Sequence, residues 1–197
     1  MTFRKIILAS KSPRRRQLLE RAGVPFEIVT ANTSENYPGG LTPSEVAIHI
    51  ARNKANEAQQ LLITNPVSEM NLPPILAADT IVVLNHEIIG KPGNQEHAIS
   101  TLQQLSGISH EVITGVCIKH REKEIIFSES TIVEFHRLTT DQINYYVQKF
   151  EPYDKAGAYA IQEWIGLIGI KSIHGDFYNV MGLPISRVLM EVNLLGD

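Results

Sequence analysis

The chain has 197 residues, 43% of them hydrophobic and 20% charged, with a formal net charge of −3. This is ordinary globular composition, which excludes a disordered or collagen-like chain, and the charge excludes an overall basic field that would draw the protein to nucleic acid or an anionic membrane. Any anion it binds must therefore be held by a local cluster.

The length suits one folded unit spanning residues 1–197, and the only place a division into two lobes could fall is near residue 138. After Arg4 and Lys5, the apolar stretch Ile6-Ile7-Leu8-Ala9 is too short for a signal peptide, and no run reaches transmembrane length. The single cysteine, Cys117, cannot form an internal disulfide, which points to a reducing compartment. The expectation is a soluble, cytoplasmic protein.

Strand-like and helix-like segments alternate from the start, which predicts an α/β or mixed α+β fold. Ile6 to Ala9 reads as a short buried strand. Ser12-Pro13 opens a helix to Ala22 that Gly23 closes, and Phe26 to Thr30 returns as a strand. A loop over 31–41 leads to Thr42-Pro43-Ser44-Glu45, a capping box with proline at the first helical position, and a long helix to about Ile63. Residues 64–74 form a polar connector. Ile75 to Leu84 is an almost unbroken apolar strand, and Glu87 to Ile89 is its hairpin partner across Asn85-His86. A helix from about Gln95 to Leu105 ends at Gly107, and Glu111 to Lys119 and Glu124 to Arg137 read as antiparallel strands. Thr139 to Gln142 caps another helix, 151–162 is loop-like, and Ile165 to Ile173 reads as a strand. Pro184 starts a last helix whose Val188, Leu189, Val192 and Leu195 share a face.

Five features carry chemistry. Ser10-Lys11-Ser12-Pro13 is followed by Arg14, Arg15 and Arg16 in the first turn of a helix. Cations there are unfavourable unless an anion joins them, so this is either a solvated basic helix end or a phosphate cradle of hydroxyls, N–H groups and guanidinium forks. Lys54 lies near the middle of the apolar half of the long helix, among Val46, Ala47, Ile50, Ala51, Ala55, Ala58, Leu61 and Leu62. Either its ammonium snorkels to water or it reaches a phosphate. Asp79 sits mid-strand in Ile75-Leu-Ala-Ala-Asp-Thr-Ile-Val-Val-Leu84, where a carboxylate is costly unless paired, hydrogen-bonded or metal-bound. It is a structural partner, a general base, a metal ligand or both of the last two. Gly90-Lys91-Pro92 alone is a weak signal, whereas the segment 151–162 sets Asp154, Lys155 and Gln162 among small residues, as a pocket-lining loop does.

In order along the chain, Leu8-Ala-Ser-Lys-Ser-Pro-Arg-Arg15 with Leu18-Leu19, Ala78-Asp-Thr-Ile-Val82, Gly90-Lys-Pro92, Asp154-Lys-Ala-Gly-Ala-Tyr159 with Ile161-Gln162, and Asn179-Val-Met-Gly-Leu-Pro184 resemble the signature of the Maf family. The resemblance spans about residues 6–186. It implies an elongated, twisted mixed sheet flanked by helices, with a central cleft, related to the fold of inosine triphosphate pyrophosphatases. It also implies a cytoplasmic location and a homodimer. The implied reaction is hydrolysis of a nucleoside triphosphate to the monophosphate and pyrophosphate with Mg²⁺ or Mn²⁺.

Matched motif to motif, the family's general base falls on Asp79, and its base-discriminating residues fall on Arg14, Thr80 and Gln162. Its acidic loop residue falls on Glu35 and its helix lysine on Lys54. The implied site has Asp79, Lys54 and Lys91 as catalytic residues and Ser10, Ser12, Arg14, Arg15, Thr80, Lys155 and Gln162 as substrate ligands, with Glu35 and Asp79 on the metal. Ala78, Ala160 and Ser34 depart from the pattern, the last leaving the metal shell least defined.

Arg14, Thr80 and Gln162 match the branch that prefers dTTP and UTP; a buried Gln162 amide would pair with O4 and N3–H of the base. The alternatives are the branch acting on 7-methyl-GTP and a nucleotide-binding regulator of septum formation. A nucleic-acid binder using Arg14 to Arg16 lacks an aromatic-basic strand motif. A P-loop NTPase is excluded, since the chain has no Gly-x-x-x-x-Gly-Lys-Ser/Thr loop.

Overall fold

A computed structural model describes residues 3–30, 32–63 and 72–195. The elements are β1 (Ile6–Leu8), α1 (Pro13–Arg21), β2 (Phe26–Ile28), α2 (Pro43–Leu62), β3 (Ile75–Leu84), β4 (Glu87–Ile89) and α3 (Gln95–Leu105). There follow β5 (Ser109–His120), β6 (Lys123–Phe135), α4 (Thr140–Phe150), α5 (Trp164–Gly169), β7 (Ile170–His174), α6 (Phe177–Met181) and α7 (Ile185–Asn193). The strands form a mixed sheet in the order β2-β1-β3-β5-β6-β7, with β4 paired to β3. Strand β1 is parallel to β2 and to β3, whereas β4 is antiparallel to β3 and β7 to β6. Most of the expected 64–74 connector lies outside the described residues.

The described residues divide into two compact units. The first takes in Met1–Asp79, Thr114–Glu129 and Gly182–Asp197, and the second Thr80–Ile113 and Ser130–Met181. The boundaries therefore cut β3, β5 and β6, and none falls at residue 138.

In the first unit, α2 begins as its sequence dictates. Thr42 Oγ1 accepts the Glu45 N–H at 3.3 Å and the Glu45 carboxylate accepts the Thr42 N–H at 2.8 Å. This reciprocal cap satisfies two N–H groups that the helix start leaves open. Its buried face is Val46, Ala47, Ile50, Ala51, Ala55 and Ala58. Leu62 packs at its margin, while Leu61, about 100° further round the helix, is 60% exposed rather than part of the stripe. The small face has a purpose: a Cβ on Gly115 of β5 would stand 2.3 Å from the Ala47 carbonyl carbon. Alanine on one side and glycine on the other let helix backbone lie on strand backbone. Cys117 is fully buried in the same cluster, and that burial, with Glu124 adding to it, pushes its thiol up to about 12.

In the second unit, the β3–β4 turn residues Asn85 and His86 have φ of 51° and 70°, the left-handed pair that a two-residue hairpin demands. Helix α3 packs on α4 and on the short 3-10 turns Pro152–Asp154 and Ala156–Ala158. A ring cluster of His110, Phe135 and Tyr159, with centroids 5.0–5.4 Å apart, forms part of the core. The expected strand Ile165 to Ile173 is corrected: its first part is helix α5 and only Ile170–His174 is strand. An unbroken apolar run does not distinguish a buried helix turn from a strand, and here Gly166 decides. A Cβ on it would stand 1.7 Å from the Ile161 carbonyl oxygen, so the chain turns tightly onto the segment before it. Helix α6 has no counterpart in the sequence reading. Among the described residues no helix is long and apolar enough to cross a membrane.

Candidate active site

The first unit holds Ser10, Ser12, Arg14, Arg15, Glu35, Lys54 and Asp79. The loop between β1 and α1 is tightened by Ser10, whose Oγ accepts the Ser12 N–H at 3.2 Å and an Arg15 guanidinium N–H at 3.0 Å. Arg15 Nε donates to the Gly182 carbonyl at 2.7 Å, tying the start of α1 to the segment that leads into α7. Arg15 is only 8% exposed. That burial lowers its pKa to about 10; Asp79 and Glu35 oppose the shift and Arg14 adds to it. Arg14 is half-buried and Arg16 is exposed, paired with Glu20 one turn on. The three arginines are thus not equivalent: one braces the loop, one stands at its edge and one is a solvated helix residue.

Asp79 ends the first-unit part of β3 and is 8% exposed. Its Oδ1 accepts from Lys54 Nζ at 2.7 Å, and Glu35 Oε1 accepts from the same ammonium at 3.0 Å. The lysine in the apolar half of α2 therefore answers both anomalies: it is the partner of the buried strand carboxylate. Further contacts hold the loop that carries Glu35. Lys11 Nζ donates to Asn32 Oδ1 at 2.6 Å, Thr33 Oγ1 donates to Glu57 Oε2 at 2.6 Å, and Ser34 Oγ accepts the Asn36 N–H at 3.2 Å.

The second unit holds Thr80, Lys91, Lys155 and Gln162. Thr80 is half-buried beside Asp79 in the chain, and Lys91 is exposed two residues after the end of β4. The Gly157 N–H donates to the Gly90 carbonyl at 3.3 Å, which brings the Lys91 and Lys155 segments together. Lys155 is buried, and its ammonium lies 2.8 Å from Asp154 Oδ1 and 3.6 Å from Glu163 Oε1, as a buried cation requires. Gln162 is exposed on the turn after the buried Ala160 and Ile161, which corrects the expectation of a buried amide.

Three residues that matter to this geometry were not singled out from the sequence. Gly182 supplies the carbonyl under Arg15. Glu163 pairs with Lys155, and Tyr146 Oη donates to Glu163 Oε2 at 2.5 Å. A tyrosine on the apolar face of a helix reads as core, whereas Glu163 stands next to Gln162 and Gly182 stands inside the Asn179-to-Pro184 motif.

Among the described residues no cluster of three or more His, Cys, Asp or Glu forms a metal cage. Two carboxylates, Glu35 and Asp79, are nevertheless arranged around one positive charge, the Lys54 ammonium. Two hard oxygen donors are a donor set that suits Mg²⁺ or Mn²⁺ when substrate phosphates and water complete the shell.

A strand carboxylate held in place by a helix lysine, beside a serine-and-arginine helix start, suits an enzyme that cleaves phosphoanhydrides with a carboxylate base and no covalent nucleophile. The family and the named relatives agree with that class. A family model described as Maf-like protein matches residues 5–194, and the chain belongs to that family. A protein of Cytophaga hutchinsonii named dTTP/UTP pyrophosphatase is 49% identical over 187 residues, covering 95% of this chain and 82% of the relative. One of the same name from Parabacteroides distasonis is 44% identical over 189 residues, covering 95% and 94%. The solved structure of the Staphylococcus aureus Ham1 protein aligns with a TM-score of 0.46 and 14% identity, over 66% of this chain and 71% of its own.

Proposed function

We propose that this chain is a nucleoside triphosphate pyrophosphatase that hydrolyses dTTP and UTP to the monophosphate and pyrophosphate. The observation that carries the reading is the buried Asp79 carboxylate held by Lys54, with Glu35 on the same ammonium. The names of the relatives supply the substrate class.

Asp79 takes a proton from water as the water oxygen attacks the α-phosphorus. The bond from that phosphorus to the bridging oxygen breaks, and the oxygen leaves with the β- and γ-phosphoryl groups as pyrophosphate. Lys54 fixes the orientation of the Asp79 carboxylate and supplies positive charge beside the attacking water. Glu35 and Asp79 would hold a Mg²⁺ or Mn²⁺, which neutralises triphosphate charge when bound. Arg14, Lys91 and the N–H groups at the start of α1 bind phosphate oxygens, with Ser10 and Ser12 shaping that loop and Arg15 bracing it. Lys155 contributes by anchoring its loop through Asp154 and Glu163.

Thr80, Arg14 and Gln162 read the base. The Gln162 amide offers one acceptor and two donors, the complement of O4 and N3–H of uracil or thymine. Because Gln162 is exposed, the base itself must cover it, and a wrong base then strands polar groups at about 1–3 kcal/mol. The family resemblance also supports a single Maf-like domain that works as a cytoplasmic homodimer.

Pyrophosphate release from dTTP, UTP, CTP and 7-methyl-GTP, with and without a chelator, tests this reading. The expected result is fastest release from dTTP and UTP, abolished by the chelator. Faster release from 7-methyl-GTP would overturn the base assignment. Release from none of the four, or release that survives the chelator, would overturn the reaction.

A further inference from the structure

In the second unit, one buried hydroxyl holds both ends of the turn that presents Gln162. Tyr146, on α4, is fully buried, with its ring stacked on Phe150 at 5.0 Å. Its Oη donates to Glu163 Oε2 at 2.5 Å and accepts the Ala160 N–H at 3.2 Å. Ala160 and Glu163 are the first and last residues of the turn, which closes on itself through the Glu163 N–H and the Ala160 carbonyl at 3.0 Å. Gln162 lies between them and is exposed.

The turn has little freedom elsewhere. Gly166 leaves no space for a Cβ against the Ile161 carbonyl, and the Lys155 ammonium, itself buried, lies 3.6 Å from Glu163 Oε1. Glu163 thus has one carboxylate oxygen toward Lys155 and the other bonded by Tyr146. Four groups of the turn are fixed, and the residue left facing outward is the amide assigned to the base. An amide discriminates uracil from cytosine only if its oxygen and nitrogen cannot exchange places, since the flipped amide suits cytosine. That exchange is a rotation of the side chain, which pairing with the base must select; the turn held at both ends sets where Gln162 stands and from which direction its amide meets the base.

We infer that Tyr146 is a specificity-determining positioning residue, setting the orientation of Gln162 through Ala160 and Glu163. The inference rests on the proposed reading of Gln162 as the base-reading amide. It concerns selectivity and not the chemical step, because the hydroxyl is hydrogen-bonded to the two ends of the turn that carries Gln162.

The experiment compares kcat/KM for UTP and CTP in the full-length protein. Tyr146→Phe keeps the stacked ring and removes the hydroxyl. It is expected to lower the UTP-to-CTP ratio by about five- to tenfold, the low end of what stranding one substrate-facing polar group costs. The loss should appear mainly as a raised KM for UTP. Glu163→Leu, which leaves Tyr146 in place and removes the other partner, must move the ratio in the same direction, so the test survives if one variant folds poorly. On a Gln162→Ala background, Tyr146→Phe must change the ratio no further, since the two act through one group. A wild-type ratio in Tyr146→Phe, even with a lowered Tm, overturns the inference. So does an equal fall in kcat on both nucleotides, or a further loss on the Gln162→Ala background. Failure of the underlying reading looks different: Gln162→Ala itself would then keep the wild-type ratio.

Discussion

Replacing Lys54 by methionine removes a charge from between two carboxylates while leaving the aliphatic stem on α2. The ammonium is 2.7 Å from Asp79 and 3.0 Å from Glu35; the side chains of Lys54, Asp79 and Glu35 are 19%, 11% and 46% exposed. The two carboxylates respond differently to its loss. Glu35 is open enough to turn to water, and exposed pairs are worth only about 0–1 kcal/mol. Asp79 is fixed in the middle of a strand and cannot turn out to water. Removing one partner of a buried pair costs about 3–5 kcal/mol, and partial access of water to this one lowers that to about 2–3 kcal/mol. A domain of this size shifts in Tm by about 2–4 °C per kcal/mol, so a fall of roughly 4–12 °C is expected by calorimetry at pH 7. Adding Asp79→Asn removes the stranded charge, and the double variant should recover most of the loss although its turnover stays low. A Lys54→Met protein as stable as the wild type would refute the pairing argument and return Lys54 to a snorkelling lysine. A fall that Asp79→Asn does not relieve would move the cost from charge to packing.

Asp79→Asn alone keeps the shape and an acceptor for Lys54 but cannot take a proton. Its kcat for UTP should fall by about 10²–10⁴ with nucleotide affinity largely kept, and an unchanged kcat in the pyrophosphate assay would demote Asp79 to a structural residue. His110, buried and sharing a 2.7 Å hydrogen bond with Tyr159, has its pKa lowered by burial to about 4. Between the ordinary histidine value of 6.5 and about 4 the unfolded chain binds the extra proton, so stability is full above 6.5 and is lost as the pH falls through that window. In urea unfolding at a series of pH values, His110→Gln should lessen the slope there by up to about 1.4 kcal/mol per pH unit, and an identical slope would count against a buried neutral His110. Gly115→Ala would place a Cβ 2.3 Å from the Ala47 backbone and should destabilise the first unit by about 1–3 kcal/mol; a wild-type urea midpoint would show that α2 can move off β5 without penalty.

Most of the elements were legible because each has a local cause. The Thr42 and Thr139 capping boxes, the Asn85-His86 hairpin turn and the apolar run of β3 all depend on residues within a few positions of one another, and all appear in the structure. The misread segment lacks a cap, a turn signal or a period of its own. Ile165 to Ile173 has no period to separate helix from strand, and the close approach of Gly166 to Ile161 settles it. The site divides the same way. A lysine in an apolar helix face and an aspartate in an apolar strand were each conspicuous, because each violates its own local pattern. That Lys54 satisfies Asp79, 25 residues away, is a tertiary fact.

By itself the sequence determined the mixed α/β class, the family and the two charged residues at odds with their surroundings, since patterning, capping and motif order are properties of neighbouring residues. Only the tertiary structure decided which of Arg14, Arg15 and Arg16 is buried on the Gly182 carbonyl, that Lys155 is neutralised by Asp154 and Glu163, that Gln162 faces outward, and that Tyr146 holds its turn. Each of these depends on a buried donor or acceptor finding a partner distant in the chain. Burial fixes the need for a partner, and folding alone chooses which group supplies it.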